Sequence, residues 1–430
     1  MARSRFGKLA GAVAALTLGV AGCSNVVIKN SAGGGDPGVS ATQIDVGSIA
    51  NATGPLSSGF APVVNGVQAY FSMINAQGGV AGRKLKLAYQ EDDQGSPTVD
   101  LSAAQQLVQQ DHVFAVVGVG TPFFGGASYL AQQGTPTFGY VVSKDWENKP
   151  TLFGTYGSVL SFATAVPGEA YLAQQVGAKS IAVVAYGVPQ SAGACQAAVT
   201  GMHAFGLNVT VSDLNLAYGA DPTPYVLQMQ EHHVDFLLSC LDVNGSVAFA
   251  RAISQNDLAM HQLWLDGYDR STLQQYSSIM NGVYFGLQHV PFEAASAFPG
   301  VYPGMESYIR EMHRYQPSST YDEVALDGWI SAALFVSGLK AVGRDLTQKK
   351  LVAAVNTETA FTGGGLVSPV NWTTAHSTAE SGKPPYCGAG VHVVNGQFVP
   401  RVVPGTHEMY VCFDPTSTTP VPPLPGTPGT

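Results

Sequence analysis

Charge is the scarcest commodity in this sequence. Asp, Glu, Lys and Arg together make up 11% of the residues, and their balance is −9. Nucleic-acid binding relies on lysines and arginines that neutralise phosphates, so this composition argues against it. The motifs of common hydrolytic and nucleotide chemistry are also missing. There is no GxSxG elbow, no HExxH pair and no P-loop. Gly363-Gly364-Gly365 lacks the following Lys-Ser/Thr and helix, so it reads as a hinge or turn. Only five cysteines occur, none spaced as CxxC, which disfavours a zinc site. His232 and His233 are adjacent and point about a quarter-turn apart on a helix, a poor arrangement for sharing one metal. No cofactor and no metal are expected.

What is present is an apolar share of 45% over 430 residues, ample for two lobes of ordinary size. Residues 1–22 read as a secretory signal, with Arg3, Arg5 and Lys8 ahead of an apolar run from Leu9 to Val20. That run is too short and small-sided for a spanning helix. Val20-Ala21-Gly22-Cys23 resembles a bacterial lipobox, which would make Cys23 a lipidated N-terminus anchored at the outer face of the cell membrane. A simple cleaved signal with an incidental cysteine is the alternative. Residues 23–40 read as a flexible tether. Cys195, Cys240, Cys387 and Cys412 then remain, an even number in an oxidising compartment. Three pairings are open; Cys195 with Cys240 and Cys387 with Cys412 keeps each bridge within one local region.

The stretch from Gln43 to Pro97 organises the rest. Ile44 to Ile49 is a short apolar strand. Asn51-Ala52-Thr53-Gly54-Pro55 is a turn-rich loop. Val63, Val67, Tyr70, Phe71 and Ile74 repeat at helical spacing, Gly78-Gly79 can stop the helix, and Leu85 to Tyr89 is the next strand. Strand, crossover helix and strand make a right-handed unit of a parallel sheet. The alternation continues: an apolar strand at Val113–Gly118, another at Thr135–Tyr140, then strands near Ile181–Gly187, Leu207–Val211, Val234–Cys240, Gln262–Leu265 and Val283–His289 with helices between. Asp322–Val342 is a long helix of small and apolar residues, where Trp329 reads as core. Asn395-Gly396 between two short apolar runs signals a hairpin. Residues 415–430 carry no core-forming pattern and are expected to lack structure.

The ordered set Thr53-Gly54-Pro55, Gly66, Ile74-Asn75, Gly78-Gly79, Gly82-Arg83-Lys84-Leu85 and Asp92-Asp93 resembles the periplasmic binding protein type I family, in its branched-chain amino-acid-binding branch of ABC-transporter substrate-binding proteins. The resemblance runs to about residue 365 in element order. It implies an α/β, two-lobed fold, each lobe an open, mainly parallel sheet flanked by helices, with three crossovers. Lobe 1 would hold residues 41–156 and 291–363, and lobe 2 residues 157–290 and 364–414.

The resemblance also implies a site where the strands end. In the family, the loop at Thr121-Pro122 holds the ligand carboxylate; from the residues alone, Gly120 and the following helix start favour an anion, or form an ordinary turn. Val141 and Ser143 fall in a second contacting loop. Trp146 lies just beyond, as a stacking face or a packed anchor. In lobe 2, Tyr186 and Gln190 lie near the first aromatic position of the relatives, and Asp242 takes the place of the second. Asp266 and Asp269 flank the position of an acid that meets an ammonium group, with Tyr268 between them; a solvated loop acid is the plainer account of Asp266. The implied function is a monomeric, extracytoplasmic solute-binding protein of an ABC importer, closing on an amino acid or related amide or carboxylate, with a membrane permease as partner. A ligand-sensing receptor on the same fold is the alternative, and a secreted hydrolase a more distant one.

Overall fold

The computed structural model describes residues 36–54, 56–160, 167–319, 321–377, 386–414 and 417–430. The expected signal, Cys23, most of the tether, Pro55, the expected helix start at Ser161 and the first residues of the tail lie outside them.

Two sheets organise the chain. The first contains β1 (Gln43–Ala50), β2 (Lys84–Asp92), β3 (Val116–Val119), β4 (Thr137–Gly139) and β5 (Leu152–Gly154), all parallel, in the order β2-β1-β3-β4-β5. The second contains β6 (Ile181–Tyr186), β7 (Val209–Leu216), β8 (Phe236–Cys240), β9 (His261–Trp264) and β10 (Val283–Leu287), which are parallel, and β11 (Tyr386–Val394) and β12 (Gln397–Pro400), which are not. Its order is β12-β11-β10-β9-β8-β6-β7, with β13 (Val411–Phe413) beside β11. The helices are α1 (Val63–Ala76), α2 (Pro97–Gln109), α3 (Ala127–Gln133), α4 (Pro167–Gln175), α5 (Pro189–Ala204), α6 (Thr223–Glu231), α7 (Val243–Gln255), α8 (Arg270–Met280), α9 (Ala294–Ala297), α10 (Pro303–Tyr315), α11 (Glu323–Val342) and α12 (Gln348–Val355). The chain leaves the first sheet after β5, returns to it with α10–α12, and goes back to the second sheet with β11.

Burial explains this layering. Both faces of β6 are apolar: Ile181 and Val183 pack against α4 and α5, while Ala182 and Val184 pack against α6 and α7. The same holds for the first sheet, where Leu107 of α2 and Leu130 of α3 cover one face and Phe335 of α11 the other. Helix α11 is apolar and long enough to cross a membrane by composition, yet most of it is buried in the protein. It touches α1 backbone to backbone. A Cβ added at Gly66 would sit 1.7 Å from the Ala325 carbonyl oxygen, and one at Gly328 would sit 1.9 Å from that of Val63. Only glycine permits this approach from both sides.

Capping residues place the helix starts. Asp322 accepts from the Ala325 amide, Asp242 from Gly245, Asp269 from Thr272 and Thr347 from Lys350. Asn395 and Gly396 have φ of 50° and 72°, the turn that joins β11 to β12. Disulfides join Cys195 to Cys240 and Cys387 to Cys412; the second pair sits in register between β11 and β13.

The tail departs from expectation. Val421 donates its amide to the Cys412 carbonyl, and Thr427 is buried. A segment with no core pattern of its own is thus held by a sheet-edge bond and by contact with the body.

Candidate functional site

Loops that leave the C-terminal ends of the parallel strands bring residues of the two sheets together, and they frame the candidate cleft. Thr121 follows β3, Tyr140 follows β4 and Tyr156 follows β5. From the second sheet, Tyr186 closes β6, Asp242 follows β8 and Asp266 follows β9. Ligands of open α/β sheets are met at such ends. The two sets of loops touch: the side-chain amide of Gln190, in the first turn of α5, donates to the Pro122 carbonyl at 3.2 Å.

The first-sheet residues expected to hold an anion are turned to internal tasks. The Thr121 side chain is buried, and its hydroxyl donates to Asp93, which is also buried. The Gly126 amide at the start of α3 donates to Asp100 Oδ1 at 2.7 Å. The β2–α2 connection and the first turn of α2 therefore bring two carboxylates, Asp93 and Asp100, beneath the loop, and they take the donors an external carboxylate would need. Burial and the neighbouring Asp93 push Asp100 up to about 8, so it keeps its proton at neutral pH. Ser143 is likewise local: its hydroxyl donates to Asp145 and caps the short turn at Lys144–Trp146. Trp146 is core, packed on Phe124 with ring centroids 4.8 Å apart. Val141 lies against Gly154 at the edge of β5, with part of its surface open.

The second-sheet residues divide. The Tyr186 hydroxyl donates to Asp242 Oδ1 at 2.6 Å, and its ring stacks on Tyr218 at 4.1 Å. Asp266 keeps open surface in the cleft, while the protein enclosing its carboxyl raises it to about 6, with Glu323 adding to the effect. Asp269 instead caps α8. Tyr268 does not reach it. It is 2% exposed among Phe285, Phe292, His289 and Phe398, donates its hydroxyl to Glu293 and accepts from the Phe292 amide. An aromatic flanked by acids pointed to the cleft; the aromatic pack beneath it claims the ring.

Comparison with known proteins fits this geometry. The periplasmic binding protein family matches residues 43–387. The chain belongs to that family. Membership implies an extracytoplasmic solute-binding role. No curated protein sequence matches significantly. Among solved structures, this periplasmic binding protein resembles the fatty acid ABC transporter substrate-binding protein of Thermomonospora curvata, with a TM-score of 0.68, 16% identity and coverage of 91% of this chain and 98% of that one. It also resembles the branched-chain amino acid transporter substrate-binding protein of Streptococcus pneumoniae in complex with isoleucine, with 0.69, 15%, 84% and 99%. A solute-binding protein from R. palustris in complex with 4-hydroxybenzoate gives 0.68, 16%, 84% and 96%. At these identities the likeness is one of fold.

Five cleft groups of this binding protein were not singled out from the sequence. Tyr140 and Tyr156 follow strands of the first sheet; burial lifts both well above the usual tyrosine range, and Asp327 and Glu323 lift them further. Glu323 and Asp327 lie one helical turn apart at the start of α11. His289 leaves β10, and its ring is buried with both nitrogens on acceptors, Nδ1 to the Val290 carbonyl at 2.8 Å and Nε2 to Glu323 at 2.9 Å. Only the imidazolium donates from both nitrogens, and its pKa is raised: burial works against the charge, but Glu323 outweighs it. Two acids within an otherwise apolar helix were the available signal, since buried carboxylates are rare without a purpose.

Proposed function

We propose that this protein is the solute receptor of an ABC importer, closing its two lobes over a small polar ligand outside the cell membrane. The observation that carries this reading is the convergence of polar side chains from both sheets at one set of strand ends, with Gln190 already reaching across to Pro122. Hinge closure of this kind buries the ligand and couples binding to a shape a permease can distinguish. Lobe 1 spans residues 41–156 and 291–363 in this reading, and lobe 2 residues 157–290 and 364–414. Thr121, Pro122, Val141 and Ser143 then shape the first wall from behind, and Tyr186, Gln190, Asp242 and Asp266 contact ligand directly.

Lipidation at Cys23 after removal of residues 1–22 would hold the monomer at the membrane through the tether. The similar structures include a fatty acid ABC transporter substrate-binding protein and complexes with isoleucine and 4-hydroxybenzoate, so the fold accommodates diverse small solutes. The protein binds without turnover in this reading. Purified protein should bind one solute per chain and leave it chemically unchanged. A deletion strain should lose uptake of that solute, and the permease should co-purify with the receptor. Retained uptake with lost transcriptional response would favour a sensing role; turnover of amides or esters would overturn both. Palmitate labelling should vanish in Cys23→Ser.

A further inference from the structure

We propose that the solute held here is an organic cation, an amine whose charged end lies among Asp242, Asp266 and Asp327 and against the rings of Tyr140 and Tyr156. This rests on the solute-binding reading above and names its ligand class.

Charge matching carries the argument. Four carboxylates come together from the second sheet and one helix: Asp242 and Asp266 at strand ends, and Glu323 and Asp327 on α11, with Asp242 and Glu323 near enough to act on Asp266. His289 compensates one, Glu323. Among the described residues no lysine or arginine forms an ion pair with the other three. Asp242 receives hydrogen bonds from Tyr186, Gly245 and Asn244, none of which carries a positive charge. Asp327 stands out. It is 3% exposed; Tyr156 and Thr155 hydrogen-bond its carboxyl, yet its Oδ1 is left without a partner. A buried, unpaired carboxyl oxygen is costly, and a cation is what relieves it. Tyrosine rings around the same recess offer negative faces to an ammonium group.

The converse holds for anions. The loop that would grip a carboxylate spends its hydroxyl on Asp93 and its helix-start amide on Asp100. An arriving carboxylate would meet acids without a counter-charge.

Burial raises Asp327 to about 7 and Asp266 to about 6, with Glu323 raising both further, Asp242 adding to Asp266, and His289 and Tyr156 opposing the rise at Asp327. A bound cation favours the carboxylate forms, so binding should release protons and strengthen as pH rises.

The test is calorimetric titration of the full chain with isoamylamine, putrescine and choline, against leucine, isocaproate and isocaproamide. At least one amine should bind with one-to-one stoichiometry and roughly tenfold or more tighter than leucine, isocaproate or isocaproamide. Its affinity should fall as pH is lowered from about 8 to about 5. Asp266→Asn and Asp327→Asn should each weaken it by roughly tenfold or more. If Asp327→Asn fails to fold, Asp266→Asn alone decides, because that side chain has open surface. A tightest binder that is zwitterionic, anionic or neutral overturns the cation while leaving a solute receptor. So does unchanged affinity in the foldable variants. Silence from every probe overturns the inference too; uptake and permease co-purification then judge the parent reading separately.

Discussion

Asp100 shows how a single side chain can redirect a loop. Its Oδ1 accepts from the Gly126 amide, and burial, with Asp93 beside it, keeps its proton on at neutral pH. Asparagine has the same shape and is always neutral. Asp100→Asn should therefore fold normally, and its advantage over the parent should grow with pH. The sign follows from linkage. The folded value, about 8, exceeds the unfolded value near about 4, so the parent is most stable below about pH 4 and loses stability as pH rises toward about 8. The asparagine variant lacks that loss. Asp100→Ala should be destabilised at every pH by about 1–3 kcal/mol, because the Gly126 amide is left buried and unpaired. Melting temperatures of the three proteins between pH 5 and 8 check this; parallel curves for parent and asparagine variant would refute the proton assignment.

Elements are where the sequence was most legible. Strands buried on both faces read as unbroken apolar runs, and the Gly66 noted in the opening unit proves to be half of the α1–α11 contact. Replacing Gly66 by alanine improves helix propensity by about 1 kcal/mol but thrusts a methyl into the Ala325 carbonyl. Backbone cannot rotate aside as a side chain can, so overpacking should dominate, costing about 1–3 kcal/mol or more. Gly66→Ala and Gly328→Ala should each lower the melting temperature by several degrees; an unchanged or raised value would show that the helices can separate freely. What the sequence hid was contact between distant elements. Nothing local to Glu323 or Asp327 announces His289, Tyr140 or Asp266, and α11 reads as plain core by composition. Thr121 misled for the same reason: its loop looks like an anion grip until β2 and α2 bring Asp93 and Asp100 beneath it. The His289–Glu323 bond ties the passage after β10 to the start of α11. Because the histidine's folded pKa is raised, its contribution is complete below the unfolded value near about 6.5 and is lost as pH climbs through the folded one. His289→Gln should cost about 1 kcal/mol below pH 6.5, a modest figure because Glu323 is partly exposed, and the gap should narrow at higher pH. Chemical denaturation at pH 6 and at pH 9 measures it.

At the scale of the molecule the buried acids point one way, and two histidines oppose them: burial lowers His376 to about 4 and lowers His392, so both add stability as pH rises toward about 6.5. Asp100 is held near 8, Asp322, Asp327 and Glu169 near 7, and Asp266 near 6, in each case with burial as the leading cause. Each binds its proton more tightly folded than unfolded, so each withdraws stability as pH rises from about 4 to its own folded value. The acids shifted downward, Asp92, Asp221 and Asp345, act below about pH 4 and lie on the surface, where solvent weakens their effect. Without solute the protein should therefore be most stable near about pH 4 and decline toward pH 8, the reverse of a protein whose carboxylates are mostly ion-paired. A saturating amine should flatten that decline. It gives Asp266 and Asp327 a counter-charge, so the complex no longer gains from their protons, while ligand at 100 times its dissociation constant adds about 2.7 kcal/mol. Thermal unfolding from pH 4.5 to 8.5, with and without amine, separates the two effects. A stability that rises between pH 5 and 8 without solute would mean the buried acids are paired with cations, and the cleft would then have no unmet need for one.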